Sequence, residues 1–477
     1  MKRNELVIVP SPGKSHLAPS VEFAYALLRR DDRFSVTFLV INSPFDPSPL
    51  SLPPTSHPHM QFLLVPKPLQ LPSLELMKES FPNYMTLYIK SHLPQIKDII
   101  ANRFSTASSH RLSGLVVDMF CTSIVDLAID LGVPSYLFFT SGAAALGMLI
   151  YLYSRSKLDG AVAGADSDPE IHHMPSYVNP VPTNVLPDFA LNNKQRKLGS
   201  QDEYIKKTKG IIINSILELE THAVSSLSDG TIPFPPVYTI GPLLDFKGNT
   251  NDKGSDHEQI MKWLDDQPPK SVVFLCFGNY GAFSTAQLKE IATGLERSGQ
   301  RFLWSVRKAQ PGKVSPVDYE NVDEVLPQGF SERTKEMGRV CGWAPQVEVL
   351  AHPATGGFVS HCGWNSVLES LWFGVPIGTW PMYAEQQMNA FQLVRDLGLA
   401  VELRLDFRKD GGDVVLSGEI ERAVRCLMDG GEDGEGGSVR KRVREMSEKC
   451  RRAVSEGGSS YHSFGCFIEA VLANVET

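Results

Sequence analysis

The chain has 477 residues, more than a single hydrophobic core usually holds, so two domains are expected. Apolar residues make up 42% and charged residues 21%, ordinary for a globular protein, and a formal charge of −8 argues against a dedicated nucleic-acid binder, which would be basic. Seven widely spaced cysteines, odd in number and without a C-x-x-C pair, argue against a disulfide framework or structural zinc.

The first predicted element is a short apolar strand, Glu5 to Pro10, followed by Pro-Gly-Lys-Ser-His and a helical pattern. Gly13-Lys14-Ser15 imitates the end of a P-loop. That motif needs a glycine five positions earlier, where Ile8 stands, and Pro10 and Pro12 remove two amides from the loop. What remains is His16, a titratable side chain where a strand hands over to a helix. The apolar run is too short for a signal peptide and contains Glu5, and no N-x-S/T sequon has a permitted middle residue, so a cytoplasmic location is expected.

Further strands are predicted at 35–41, 61–66, 112–118, 134–139 and 210–215, with helices near 18–29, 77–102, 122–131 and 142–156. Such alternation implies a parallel sheet covered by helices. Tyr136 to Tyr153 imitates a membrane span, but Thr140-Ser141-Gly142 interrupts it; a buried strand, a Ser N-cap and a buried helix explain it better. Residues 158–200 read as a long loop, the kind that often forms a pocket wall or lid.

A polar, Gly-containing linker, 245–259, closes the first unit. Strand 271–278, helix 284–298, strands 301–306 and 356–361, helix 364–373, strand 376–380 and helix 384–397 then restart the alternation. The predicted fold is therefore α/β, two doubly wound Rossmann-like domains facing across a cleft, with chemistry at the carboxyl ends of both sets of strands. DGGEDGEGG (429–437) reads as a flexible acidic loop. The basic helix after it has Glu445 and Glu448 among its cations and reads as a solvated face rather than a nucleic-acid contact.

The densest signal is GGFVSHCGWNSVLESL, a strand, a Cys362-Gly363 turn and a helix opening with Trp364-Asn365-Ser366. Asn365 and Ser366 read as cap and first-turn residues. Unpaired amides and the positive end of the helix dipole favour a phosphate there, and Gly363 allows close approach. His361 supplies a donor before the turn, and Glu369, on the same helix face as Ser366, suits a ribose diol. Upstream, Trp343 can stack a base whose edge Ala344 and Gln346 read. Downstream, Glu385 and Gln386 at a helix start suit sugar hydroxyls. The competing reading is an ordinary capped helix with a buried Trp and a surface helix N-terminus.

The run WAPQVEVLAHPATGGFVSHCGWNSVLESLWFGVPIGTWPMYAEQ, Trp343 to Gln386, resembles the signature box of plant family-1 UDP-dependent glycosyltransferases, enzymes of the GT-B fold. The resemblance extends to the His16 turn, VVDMFCTS, PSYLFFTSGAA, YTIGPLL and WLDDQPPKSVVFLCFG, and is strongest to the branch that glucosylates flavonoids, chalcones and other phenolics. It implies that Trp343 stacks on uracil while Gln346 helps to hold the nucleoside. It gives the pyrophosphate to His361, Asn365 and Ser366, the ribose to Glu369, and the sugar to Trp364, Glu385 and Gln386. A glutamine at the last box position is associated with glucose, so UDP-glucose is the implied co-substrate. Thr140 matches a position near the sugar 6-hydroxyl. Two departures stand out: Ser15 replaces a common Gly before His16, and Asn279-Tyr280 replaces a small hydroxyl residue and its apolar neighbour facing the donor phosphates.

Inverting transfer needs an acceptor hydroxyl losing its proton, and an imidazole is suited to that near neutral pH. His16 is the expected base. Asp118, ending the buried strand LSGLVVD, is the expected carboxylate behind it. The acceptor is expected among Phe120, Phe139, Met85, Tyr88 and the 158–200 loop. The implied domains are 1–243 for the phenolic acceptor, 244–460 for the UDP-sugar, and a helix from 461 to 477 packing back on the first. No cofactor or metal, no membrane span and a monomer are expected. C-glucosylation of a phenolic ring uses the same base and donor site and stays open, as does a non-catalytic binder of phenolics or UDP-sugars.

Overall fold

The computed structural model describes residues 3–45, 52, 57–104, 110–159, 171–191, 201–229, 234–246, 256–310, 313–429, 431 and 434–476. Two parallel sheets organise them. The strands of the first are β1 (Arg3–Val9), β2 (Phe34–Val40), β3 (Met60–Leu64), β4 (His110–Asp118), β5 (Ser135–Phe139), β6 (Ile211–Ile213) and β7 (Val237–Thr239). Those of the second are β8 (Val272–Cys276), β9 (Arg301–Ser305), β10 (Gly338–Cys341), β11 (Thr355–Ser360), β12 (Ile377–Thr379) and β13 (Ala400–Glu402). Their spatial orders are β3-β2-β1-β4-β5-β6-β7 and β10-β9-β8-β11-β12-β13. Both are the doubly wound order, with the crevice at the β1/β4 and β8/β11 switch points. Strands of both sheets are buried along their whole length, as expected where helices cover both faces.

The alternation expected from sequence is present, with local differences. The single helix expected at 77–102 is three: Leu74–Glu79, Phe81–Ser91 and Leu93–Arg103. Pro82 and Pro94 fall in the first turns of the second and third, where a missing N–H costs nothing, and would break a continuous helix. The first helix starts at Lys14, not at 18, so His16 lies inside its first turn. In the expected 158–200 loop, Ile171–His172 pairs with Val181–Pro182; 160–170 and 192–200 lie outside the described residues, as do 247–255 of the expected linker and 430 and 432–433 of the acidic loop. The membrane-like stretch is β5 and the helix Ala143–Asp159. Among the described residues no helix is long and apolar enough to cross a membrane.

Helix Ser459–Glu476 returns to the first sheet, where Phe464, Phe467, Ile468 and Val471 join its core. Each such burial is worth roughly 2 kcal/mol of transfer free energy. Arg30 lies 3.7 Å over the Tyr461 ring, and Asn474 Nδ2 donates to the Tyr136 hydroxyl at 3.1 Å.

The two sheets are joined by apolar packing and polar contacts. One core cluster runs from Phe139 and the Ala-rich helix into the second domain. Asp396, in the π-helical turn Gln392–Asp396, accepts from the Val178 and Asn179 amides at 3.1 and 3.0 Å. Arg408 Nε donates to Asp188 Oδ1 at 2.7 Å. These bonds tie the loops of the first sheet to elements of the second.

Candidate active site

His16 and Asp118 meet at the β1/β4 crevice. Asp118 ends β4 and caps the one-turn helix Met119–Cys121. Its side chain is 1% exposed, and its Oδ2 lies 2.9 Å from His16 Nδ1. Its Oδ1 accepts from the Ser11 hydroxyl and, at 3.4 Å, from the Phe120 amide. An ionised Asp118 places the imidazole proton on Nδ1 and leaves the Nε2 lone pair to take another. Burial pushes the His16 pKa down, but the charge and hydrogen bond of Asp118, with the charge of Glu385, outweigh it and hold it above its ordinary value. Thr140, the residue after β5, has its hydroxyl oxygen 3.2 Å from the same Nδ1, where it can share that proton as a second acceptor.

An aromatic run leads away from the base. Phe120 lies edge-on to His16 with ring centroids 6.0 Å apart, Phe81 edge-on to Phe120 at 6.0 Å, and Phe45 stacks on Phe81 at 5.7 Å. Phe81 is 41% exposed. Met85 and Tyr88, expected in this wall, are 2% and 4% exposed and pack into the core. Phe139 is likewise buried, under the Ala-rich helix. Sequence reasoning missed Phe45, Phe81 and Ser11. The apolar stripe of the Phe81–Ser91 helix held the signal for Phe81.

On the second sheet, β11 delivers His361 and the turn. The cap of helix Trp364–Phe373 is Gly363, without a side-chain hydrogen bond, so Asn365 and Ser366 sit in the first turn and neither is the cap. Amides at that end lack helical partners, and the dipole end is positive. Cys362 adopts φ 61, a left-handed conformation a side chain takes at a cost. His361 is buried against the glycines flanking it: a Cβ on Gly278 or Gly363 would lie 2.6 or 2.5 Å from its Nε2. Burial pushes its pKa down to about 4, so it is a neutral donor at neutral pH. Its Nδ1 and the Asn365 Oδ1 are buried without a partner among the described residues. This helix end, with unpartnered amides and no acidic residue in its first turn, suits an anion, though the Asn365 oxygen is an acceptor and does not contribute to that.

Beside it, Gln346 Nε2 donates to Ser366 Oγ at 2.8 Å and to Glu369 Oε2 at 2.7 Å. Burial raises the Glu369 pKa to about 7, against the pull of that Gln346 bond. Trp343 is half-buried and Ala344 buried beyond the end of β10. Asn279 is exposed after β8, and the Tyr280 ring stands 6.3 Å from that of Tyr383. Glu385 is the cap residue of helix Gln386–Phe391, just after Ala384 at φ 57. The Gln386 carbonyl turns inward, accepting from the Met382 and Tyr383 amides at 2.9 and 3.0 Å.

Three contacts bring the two halves together. Asn365 Nδ2 donates to the Ser15 carbonyl at 3.1 Å, Ser141 Oγ to Glu385 Oε1 at 2.9 Å, and Trp364 Nε1 to the Asn214 carbonyl at 2.7 Å. Trp364 is 3% exposed, so its indole belongs to the domain interface. Ser141 is not the helix cap expected from sequence: Glu220 accepts from the Ala143 and Ala144 amides at 2.7 and 2.9 Å instead.

The arrangement sets a base before an aromatic wall and opposite an anion-seeking helix end. Residues 214–413 match the family described as UDP-glucoronosyl and UDP-glucosyl transferase. The chain is 48% identical to UDP-glycosyltransferase 71K2 of Pyrus communis over 99% of this chain and 98% of that one. It belongs to the plant family-1 UDP-glycosyltransferases. Within that family it is 44% identical to UDP-glucose flavonoid 3-O-glucosyltransferase 6 of Fragaria ananassa, over 98% of this chain and 99% of that one. The crystal structure of a Medicago truncatula glycosyltransferase of the same 71 group, complexed with UDP-glucose, superposes with a TM-score of 0.87 at 41% identity, covering 98% of each chain. The two sheets are thus the GT-B fold of this family, and the chain is a UDP-glycosyltransferase.

Proposed function

We propose that this glycosyltransferase moves glucose from UDP-glucose to a hydroxyl of a small phenolic such as a flavonoid or chalcone, with inversion, giving a β-O-glucoside and UDP. The observation that carries the reading is the His16–Asp118 pair, 2.9 Å apart, standing between the Phe120–Phe81–Phe45 wall and the helix end at Gly363. The Fragaria relative bears a flavonoid glucosyltransferase's name and the Medicago structure holds UDP-glucose, which accords with both halves of the reaction.

His16 Nε2 takes the phenolic proton. The oxygen so released attacks the anomeric carbon as the bond from that carbon to the β-phosphate oxygen breaks, and the electron pair leaves with UDP. Asp118 stabilises the imidazolium that forms. The first amides of helix Trp364–Phe373 and neutral His361 donate to the diphosphate as its charge grows. Trp343 stacks on the base; Gln346 and Glu369 take the nucleoside and its ribose, Glu385 and Gln386 the sugar. A flat phenolic suits the aromatic wall, and no feature favours C- over O-transfer.

The test is mass spectrometry of products from UDP-glucose and a panel of plant phenolics, with His16→Ala alongside. A one-hexose gain that fragments as an O-glucoside and disappears in the variant is expected. No product across the panel from a chain that still binds UDP tightly would overturn the reading.

A further inference from the structure

The joint between β5 and the Ala-rich helix, Thr140-Ser141-Gly142, touches both halves of the site. Thr140 Oγ1 lies 3.2 Å from His16 Nδ1, and Ser141 Oγ donates across the cleft to Glu385 Oε1 at 2.9 Å. We propose that Ser141 is a positioning residue for the donor sugar: a hydroxyl carried by the first sheet holds the Glu385 carboxylate of the second. This rests on the reading of Glu385 as a sugar ligand.

The carboxylate is held on one side only. Oε1 also receives Asn389 Nδ2 at 3.4 Å, and the same nitrogen donates to the Cys362 carbonyl at 3.0 Å, tying the carboxylate to the left-handed residue that shapes the phosphate turn. Oε2 accepts nothing among the described residues and is the oxygen left for a sugar hydroxyl. Two donors on one oxygen fix the plane of the carboxylate and hence the direction of the other lone pairs.

Ser141 itself has little freedom. It is 7% exposed, and the backbone after it is clamped where Glu220 takes the Ala143 and Ala144 amides. A Cβ at Gly142 would lie 2.7 Å from Glu220 Oε1 and 2.9 Å from the Trp364 ring. With the helix capped by Glu220, the Ser141 hydroxyl is released from the local role that serine takes before a helix. It is spent on the other domain. Two consecutive residues thus connect the base to the sugar carboxylate, and the Glu385 oxygen is aimed only when the domains are together.

The test compares Ser141→Ala, Ser141→Thr and Glu385→Ala in steady-state kinetics with UDP-glucose and in calorimetric binding of UDP alone. Losing one charge-assisted bond to the carboxylate predicts a KM for UDP-glucose raised about tenfold in Ser141→Ala. UDP, which has no sugar for Glu385 to meet, should bind within about twofold of wild type. The threonine variant keeps the hydroxyl and should recover most of the loss. In a Glu385→Ala background the serine-to-alanine change should add nothing. The inference is overturned if KM does not move, or if UDP weakens by the same factor, which marks a structural joint only. An unchanged KM in Glu385→Ala would instead remove the sugar-ligand reading on which it stands.

Discussion

Asp118→Asn keeps the shape of the buried side chain and removes its charge. The amide has one oxygen and one nitrogen where the carboxylate had two acceptors. The Phe120 amide points at the Oδ1 position from 3.4 Å, so an amide nitrogen there would meet a donor. The oxygen therefore stays on that side and the NH₂ turns toward His16 Nδ1. That nitrogen must then accept, the proton moves to Nε2, and the base faces the acceptor with its lone pair lost. The lost attraction sets the scale. At 2.9 Å and an effective dielectric of about 20, a carboxylate stabilises an imidazolium by roughly 6 kcal/mol at most. His16 is 23% exposed, so solvent screens part of that, and the amide dipole returns part of the rest. About 3–4 kcal/mol remains, a fall in kcat of about 10²–10³.

The assay is kcat and KM for UDP-glucose at saturating phenolic acceptor, followed across pH. The general base must be unprotonated, and its pKa lies above the ordinary 6.5, so wild-type kcat should fall on the acid side from a point above 6.5. Without Asp118 only the Glu385 charge opposes burial, the larger influence, so the variant's acid limb should move below 6.5. The loss should grow for less acidic phenols, which depend more on the base. A kcat within fivefold of wild type on a phenol of ordinary acidity would refute the reasoning. So would a loss appearing as donor affinity with turnover unchanged.

Gly363→Ala puts a methyl 2.5 Å from His361 Nε2, so the imidazole must leave the turn; calorimetry should show UDP affinity down more than about tenfold, with the fold retained. In its proposed ribose role Glu369 would accept a diol best as an anion, and its pKa is raised to about 7, so UDP affinity should rise with pH through about 7. Glu369→Gln should bind more weakly and lose that component of the pH dependence. Glu220→Ala leaves the Ala143 and Ala144 amides and Gln392 Nε2 without their acceptor, a cost of about 2–4 kcal/mol that should lower the thermal midpoint by several degrees.

What was legible in the sequence follows from what is local. The run around His361 to Glu369 is a strand, a turn and a helix in one continuous stretch, so its local structure could be read directly. Strands such as β1 and β8 carry local apolar runs and were read for the same reason. The short strands β7, β10 and β13, VYT, GRVC and AVE, were not foreseen; shortness alone is not the reason, because β6 and β12 are as short and were. The exposure of the aromatic wall near His16 was not legible because it depends on helix phase. Phe81, Met85 and Tyr88 share one stripe, and the stripe alone does not say where the covered core ends. Met85 and Tyr88 lie over the sheet; Phe81, one turn earlier, passes its edge and meets Phe120. Ser11 carried no signal, because its partner stands more than a hundred residues away in sequence.

Trp364 shows that the segment proposed above to bind the donor is also an interface between the two sheets. Its place in the signature box suggested a sugar contact, yet its indole donates to Asn214 and packs against Gly142, both on the first domain. Any part it takes with the donor falls to its backbone amide at the start of the helix. Asn365 likewise reaches Ser15, one residue before the base, and Glu385 reaches Ser141, one residue after Thr140. Three consecutive or nearby features of the box therefore spend side-chain hydrogen bonds on the opposite sheet. The hydrogen bonds that join the two sheets also hold the Gly363 turn and the Glu385 carboxylate, proposed above to meet the diphosphate and the sugar. On that proposal donor affinity and the apposition of the two sheets would be coupled, and a substitution on the first sheet's side that touches no ligand should be felt in the binding of UDP-glucose.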